Sequence, residues 1–159
     1  MSPRLQRLRA EIASDLGTFA SRIDDLAKLP PLAQADRASL AEAAVALHHA
    51  YGAIESALAR IARAVDDGLP EGPEWHQALV QVMALAIDSV RPAVVCDKTR
   101  ELLQRLLGFR HFFRHAYAVE LDGVRLEELR RHATSLLPLL RDDLGRFDRF
   151  LADAGAAQP

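Results

Sequence analysis

The sequence predicts an all-α, up-and-down bundle of four or five helices. Three observations lead there. Ala and Leu dominate the chain while aromatics make up only 6% of it, a composition that favours helices over sheets. Apolar residues recur at three-four spacing through five segments, and none alternates convincingly as a strand does. Pro and Gly clusters separate the segments by short connections, which makes neighbouring helices antiparallel.

The first helix is expected over residues 4–28, with Leu5, Leu8, Ile12, Leu16, Phe19, Ile23 and Leu26 on one stripe. Pro30 and Pro31 stop it. The second is expected over 36–67. Leu40, Ala44, Leu47, Tyr51, Ile54, Leu58, Ile61 and Val65 step by fours and threes, the pattern of a long bundle helix. Gly68, Pro70, Gly72 and Pro73 break the chain there. The third is expected over 74–90, with Trp75, Leu79, Val82, Ala86 and Val90 inward and Pro92 as its end. The fourth begins near Lys98, carries Leu102, Leu103, Leu106, Leu107, Phe109 and Phe113, and ends before the turn signal Asp122-Gly123. The fifth, over 126–151, points Leu129, Ala133, Leu136, Leu140, Leu144 and Phe147 inward, and Pro138 predicts a kink in it. No internal repeat or low-complexity tract interrupts the pattern. One domain is expected over 1–159, with its core at about 4–150 and a frayed tail over 152–159.

Bulk chemistry excludes several functions. A net charge of −2 and a pI of 6.3 do not announce a nucleic-acid or membrane binder. A single cysteine, Cys96, allows no disulfide framework and no cysteine metal cluster within the chain. The basic N-terminus has no following apolar run, so no signal peptide is expected, and no stretch has the length of a membrane span. The expected setting is the cytoplasm. There is no Gly-rich phosphate loop, and no cofactor is assigned.

One stretch stands apart. Residues 109–117 read F-R-H-F-F-R-H-A-Y. On a helix at ~100° per residue, Phe109, Phe113 and Ala116 share a face that enters the core, with Tyr117 beside them. Arg110 and Arg114 are four apart, as are His111 and His115. From residue 98 to 115, Lys98, Arg100, Arg105, Arg110 and Arg114 are opposed only by Glu101. A protein of negative net charge has thus gathered positive charge on one helix, where clustered Arg attracts phosphate. Arg with His is also a minimal set for RNA cleavage without a metal. A His moves protons at the ribose 2′-OH or the leaving oxygen, and an Arg stabilises the extra charge of the transition state. Arg110 and His115 stand ~140° apart on one helix. A two-fold pair of such helices brings two sets together, so a dimer cleft is the expected site. From composition alone, a solvated helix face remains the competing reading. His111 and His115 have the spacing of a helical metal pair, but no Glu lies between them and no Cys nearby, so no metal site is assigned.

Arg110, His115 and Tyr117 together read R-x4-H-x-Y. The pattern resembles the HEPN superfamily, and within it the HepT-like ribonuclease toxins. The stretch Y-G-A-I-E-S-A-L-A-R-I-A from Tyr51 to Ala62 is similar to that family's second helix, and the helix order agrees over about 4–150. The resemblance implies a homodimeric, metal-independent endoribonuclease, the toxin of a two-gene toxin–antitoxin module, with a minimal nucleotidyltransferase as its antitoxin partner. It implies Arg110 and His115 as the catalytic pair and Tyr117 as the acceptor of AMP from that partner. His111 and Arg114 are assigned to RNA substrate binding. The residue after the motif Arg is commonly Asn in the family and is His111 here, a change that alters phosphate holding or adds a second proton carrier.

Two other readings stay open. One is a non-catalytic subunit that presents a substrate or nucleotide to a nucleotidyltransferase; the other is an interaction protein whose basic helix stabilises a dimer. Tyr117 also reads as a half-buried core aromatic with an exposed hydroxyl. His48 and His49 suit structural or interface roles, and His76 and His132 read as surface residues. Glu55, on the flank of the second helix, is placed to pair with an Arg of the fourth. Cys96 has no recognisable His or Asn partner and is not assigned as a nucleophile.

Overall fold

Among the residues it describes, a computed structural model gives five α-helices and one 3-10 turn. The structure describes residues 2–115 and 120–156, with side chains described through 111 and again from 120. The helices are α1 (Pro3–Ala27), α2 (Arg37–Val65), α3 (Trp75–Met83), α4 (Asp97–His115) and α5 (Gly123–Ala156). No strand occurs among the described residues, so the all-α bundle read from composition and periodicity is the observed architecture.

Helix α2 is the central element. It packs against α1, α3, α4 and α5, and it buries one stripe from Ala43 to Ala62. The predicted apolar stripes of α1, α2 and α5 are the buried ones, from Leu8 and Phe19 through Leu47 and Ile54 to Leu136 and Phe147. Helix starts follow local capping chemistry. Pro3 sits in the first turn of α1 behind the cap Ser2, and the Asp36 carboxylate accepts the Ser39 N–H at 2.8 Å. Asp122 accepts the Val124 N–H at the start of α5. Helix α2 ends where Asp67 turns left-handed at φ 62° and the Gly68 N–H returns to the Ala62 carbonyl.

Two arginines close helix ends from outside. Arg130 of α5 donates to the carbonyls of Leu26, Leu29 and Pro30 at the end of α1 while pairing with both oxygens of Glu127, whose Oε2 also accepts the Leu32 N–H at 2.7 Å. The approach is close: a Cβ on Gly123 would stand 2.1 Å from the Leu32 carbonyl oxygen, so only glycine fits.

Arg91 does the same for α3, and it explains a failed expectation. The third helix was expected to 90, yet α3 ends at Met83, and Ala86 and Val90 are exposed. The fully buried Arg91 guanidinium takes the Val82 and Leu85 carbonyls, and the Val94 and Val95 N–H groups take that of Met83. Those bonds terminate the helix and turn the chain through Ser89 at φ 62°. The fifth helix also departs from expectation. It continues through Ala156 with Leu151 and Gly155 buried, where fraying was expected from residue 152. Pro138 is accommodated within it on the exposed face.

Carboxylate bonds make the fold acid-sensitive. Arg130 and the Leu32 N–H hold Glu127 below the usual carboxylate range; Arg9 does so for Asp148, and the Ser39 N–H for Asp36. Folded values lie below unfolded ones, so the stabilisation is complete above the unfolded values of about 4 and is lost as pH falls through the folded ones. The Tm is expected to fall as pH drops from about 5 to about 3, and Glu127→Gln is expected to flatten part of that slope. A wild-type Tm that stays constant over that range would contradict this account.

Candidate active site

The site forms where α2, the start of α3 and the last turns of α4 meet. Helix α4 is set in place at its beginning by Asp143 of α5, a buried carboxylate. It accepts the Cys96 N–H at 3.0 Å and the Thr99 hydroxyl at 2.6 Å, and it pairs with Arg146. Leu103, Leu106 and Phe109 then carry α4 along the core. Arg110 follows Phe109 and points to α2, its side chain 16% exposed.

There the guanidinium meets Glu55, a buried carboxylate on α2. Arg110 Nη2 lies 3.4 Å from Glu55 Oε1, while His76 Nδ1 of α3 lies 2.7 Å from Glu55 Oε2. One carboxylate thus serves two groups from two other helices. Arg110 Nη1 is 3.5 Å from His76 Nδ1. An ionised carboxylate only accepts, so the short contact assigns the Nδ1 proton to the Glu55 side and leaves Nδ1 no lone pair for Arg110. The Arg110–His76 contact is therefore proximity rather than a bond.

Tyr51, one turn before Glu55, lies under the guanidinium with its ring centre 5.7 Å from Arg110 Cζ. Burial first, then the charge of Glu55, raises its phenol well above the ordinary range against the opposing pull of Arg110, so it stays neutral. Among the described residues, its buried hydroxyl forms no hydrogen bond of standard geometry, and neither does Arg110 Nε. Trp75 stacks on His76 at 3.7 Å between ring centres.

The expected pairing of Glu55 with an Arg of the fourth helix is thus realised by Arg110. His76 corrects the sequence reading, because it is half-buried in this cluster rather than a surface residue. The hidden signal was tertiary: 34 residues separate His76 from Arg110, and nothing local marks their meeting. His111 lies on the exposed flank of α4. The backbone of Arg114 and His115 closes α4, but their side chains, and all of Tyr117, lie outside the described residues. Cys96 has its thiol 3.3 Å from the Thr99 hydroxyl, at the far end of α4 from Arg110.

Among the described residues no three His, Cys, Asp or Glu side chains gather as a metal site. No helix among them is long and apolar enough to cross a membrane.

No curated protein and no solved structure matches the chain. The family model described as "HepT-like protein" matches residues 42–151, a span that runs from α2 through the motif helix into α5. On that match over more than half of its length, the chain belongs to the HepT-like family of the HEPN superfamily.

Proposed function

We propose that the protein is a metal-independent endoribonuclease, the toxin of a two-gene module, acting through the R-x4-H-x-Y motif at a cleft between two copies of α4. The family points to ribonuclease toxins that have a nucleotidyltransferase partner. The observation that carries the reading for this chain is the seating of Arg110. A buried Glu55 from another helix anchors the guanidinium near the end of α4, with Arg110 Nη2 3.4 Å from Glu55 Oε1. An arginine held this way presents directed donors to a phosphate with little side-chain freedom left to lose.

In this mechanism Arg110 stabilises the phosphorane-like transition state, and His115, five residues on, moves a proton. His111 and Arg114 hold the flanking RNA backbone. AMP placed on Tyr117 by the partner nucleotidyltransferase puts bulk and negative charge where the RNA phosphate must sit, which silences the toxin.

Expression of the chain alone is expected to arrest growth, and His115→Ala to relieve the arrest with unchanged Tm. Tyr117→Phe is expected to stay toxic in the presence of the partner. Equal RNA degradation by purified wild type and His115→Ala removes the catalytic assignment, and mass spectrometry without AMP on Tyr117 after coexpression removes the modification. Wild type that binds RNA but neither cleaves it nor arrests growth assigns the cleft to binding alone.

A further inference from the structure

We propose that His76 is a second proton carrier of this site, the general base that takes the ribose 2′-OH proton through its Nε2. The inference rests on the ribonuclease reading and adds to it a residue outside the motif.

Three observations converge on this ring. Its Nδ1 is committed to the buried Glu55 at 2.7 Å, which fixes the tautomer with the proton on Nδ1 and the lone pair on Nε2. Its plane is held by Trp75 stacked at 3.7 Å. Its Nδ1 lies 3.5 Å from Arg110 Nη1, so a phosphate bound by that guanidinium comes within reach of the imidazole. A carboxylate behind a histidine both orients the ring and stabilises the imidazolium that forms when the ring accepts a proton. Among the described residues, the charged groups facing His76 are Glu55 of α2 and Arg110 of α4.

The step balances without water, metal or oxidant. His76 Nε2 removes the 2′-OH proton, and the 2′-oxygen bonds to phosphorus. The bond from phosphorus to the 5′-oxygen breaks, and that oxygen leaves with a proton from His115. The products are a 2′,3′-cyclic phosphate and a 5′-hydroxyl end, and solvent exchange restores both histidines. A motif with one catalytic His per chain is thereby completed by a second from α3, a role the sequence left open for His111.

The discriminating variant is His76→Asn, whose side-chain N–H replaces that of Nδ1 towards Glu55 but offers nothing at the Nε2 position. The purified full chain is assayed on a single-stranded RNA across pH. His76→Asn is expected to lower kcat/KM by about 10²–10³-fold, to abolish the fall in rate on the acid side, and to keep the wild-type Tm. Nitrogen-15 spectra of the wild type are expected to show the proton of neutral His76 on Nδ1.

Wild-type cleavage matched by His76→Asn with the same pH profile overturns the inference and leaves the ribonuclease reading standing. Loss of activity with an unchanged profile shape and a lowered Tm also overturns it, because His76 is then structural. A proton found on Nε2 overturns it independently of activity. Wild type that cleaves no RNA at any pH removes the ribonuclease reading, and the inference with it.

Discussion

Arg110→Ala is expected to lower ribonuclease kcat/KM by about 10²–10³-fold, the usual cost of removing one preorganised donor from a developing negative charge. It also takes from Glu55 one of its two partners. His76 still covers Glu55 Oε2, so the chain is expected to fold, with a small loss in Tm. Arg110→Lys separates the two effects. It keeps a positive charge against Glu55 but replaces a planar fork with a point charge. The Lys variant is expected to regain the Tm while remaining well below wild type in activity. Wild-type activity in Arg110→Lys would mean that charge alone, and not the anchored fork, serves the phosphate.

The largest expected effect on stability lies elsewhere, at Arg91. Its guanidinium is inaccessible to solvent and makes five hydrogen bonds, two to the Asp66 carboxylate at 2.6 and 2.7 Å and three to the carbonyls of Leu85, Pro92 and Val82. Arg91→Ala leaves an anion with 10% of its side chain exposed and three carbonyls without their donor. Removing one partner of a buried ion pair costs about 3–5 kcal/mol, which for a chain of this size corresponds to a Tm lower by roughly 10 °C. Arg91→Ala combined with Asp66→Ala is expected to cost less than the sum of the two single changes, because the second removes the charge that the first left stranded. Additive losses in thermal unfolding would show that the pair is not coupled.

The bundle was legible because its signals are local. The stripes from Leu8 to Leu26, from Leu47 to Ile61 and from Leu129 to Phe147 each lie on one helix, and burial followed them. The third helix misled because Ala86 and Val90 continue its periodicity while Arg91 withdraws the carbonyls the helix needs. An arginine far from a helix in sequence, or just beyond its end, carries no capping signature that spacing reveals. The site divides in the same way. The motif singled out Arg110, and the position of Glu55 on the flank of α2 pointed to the pairing with the fourth helix that Arg110 makes. His76 was not singled out, since its meeting with Glu55 depends on α3 delivering it to a carboxylate 21 residues away.

Helix α4 is gripped by acids at both ends, by Asp143 through Thr99 and the Cys96 N–H, and by Glu55 through Arg110. Two such grips fix not only where the helix lies but how far it is turned about its own axis. Eleven residues separate Thr99 from Arg110, a distance of about 16 Å along the helix, yet twisting the shaft at one end swings the guanidinium at the other. A loss-of-toxicity screen would therefore return substitutions at Thr99 and Asp143 beside those at the motif. Such hits would report torsion transmitted along a rod, and they should not be mistaken for residues that touch RNA.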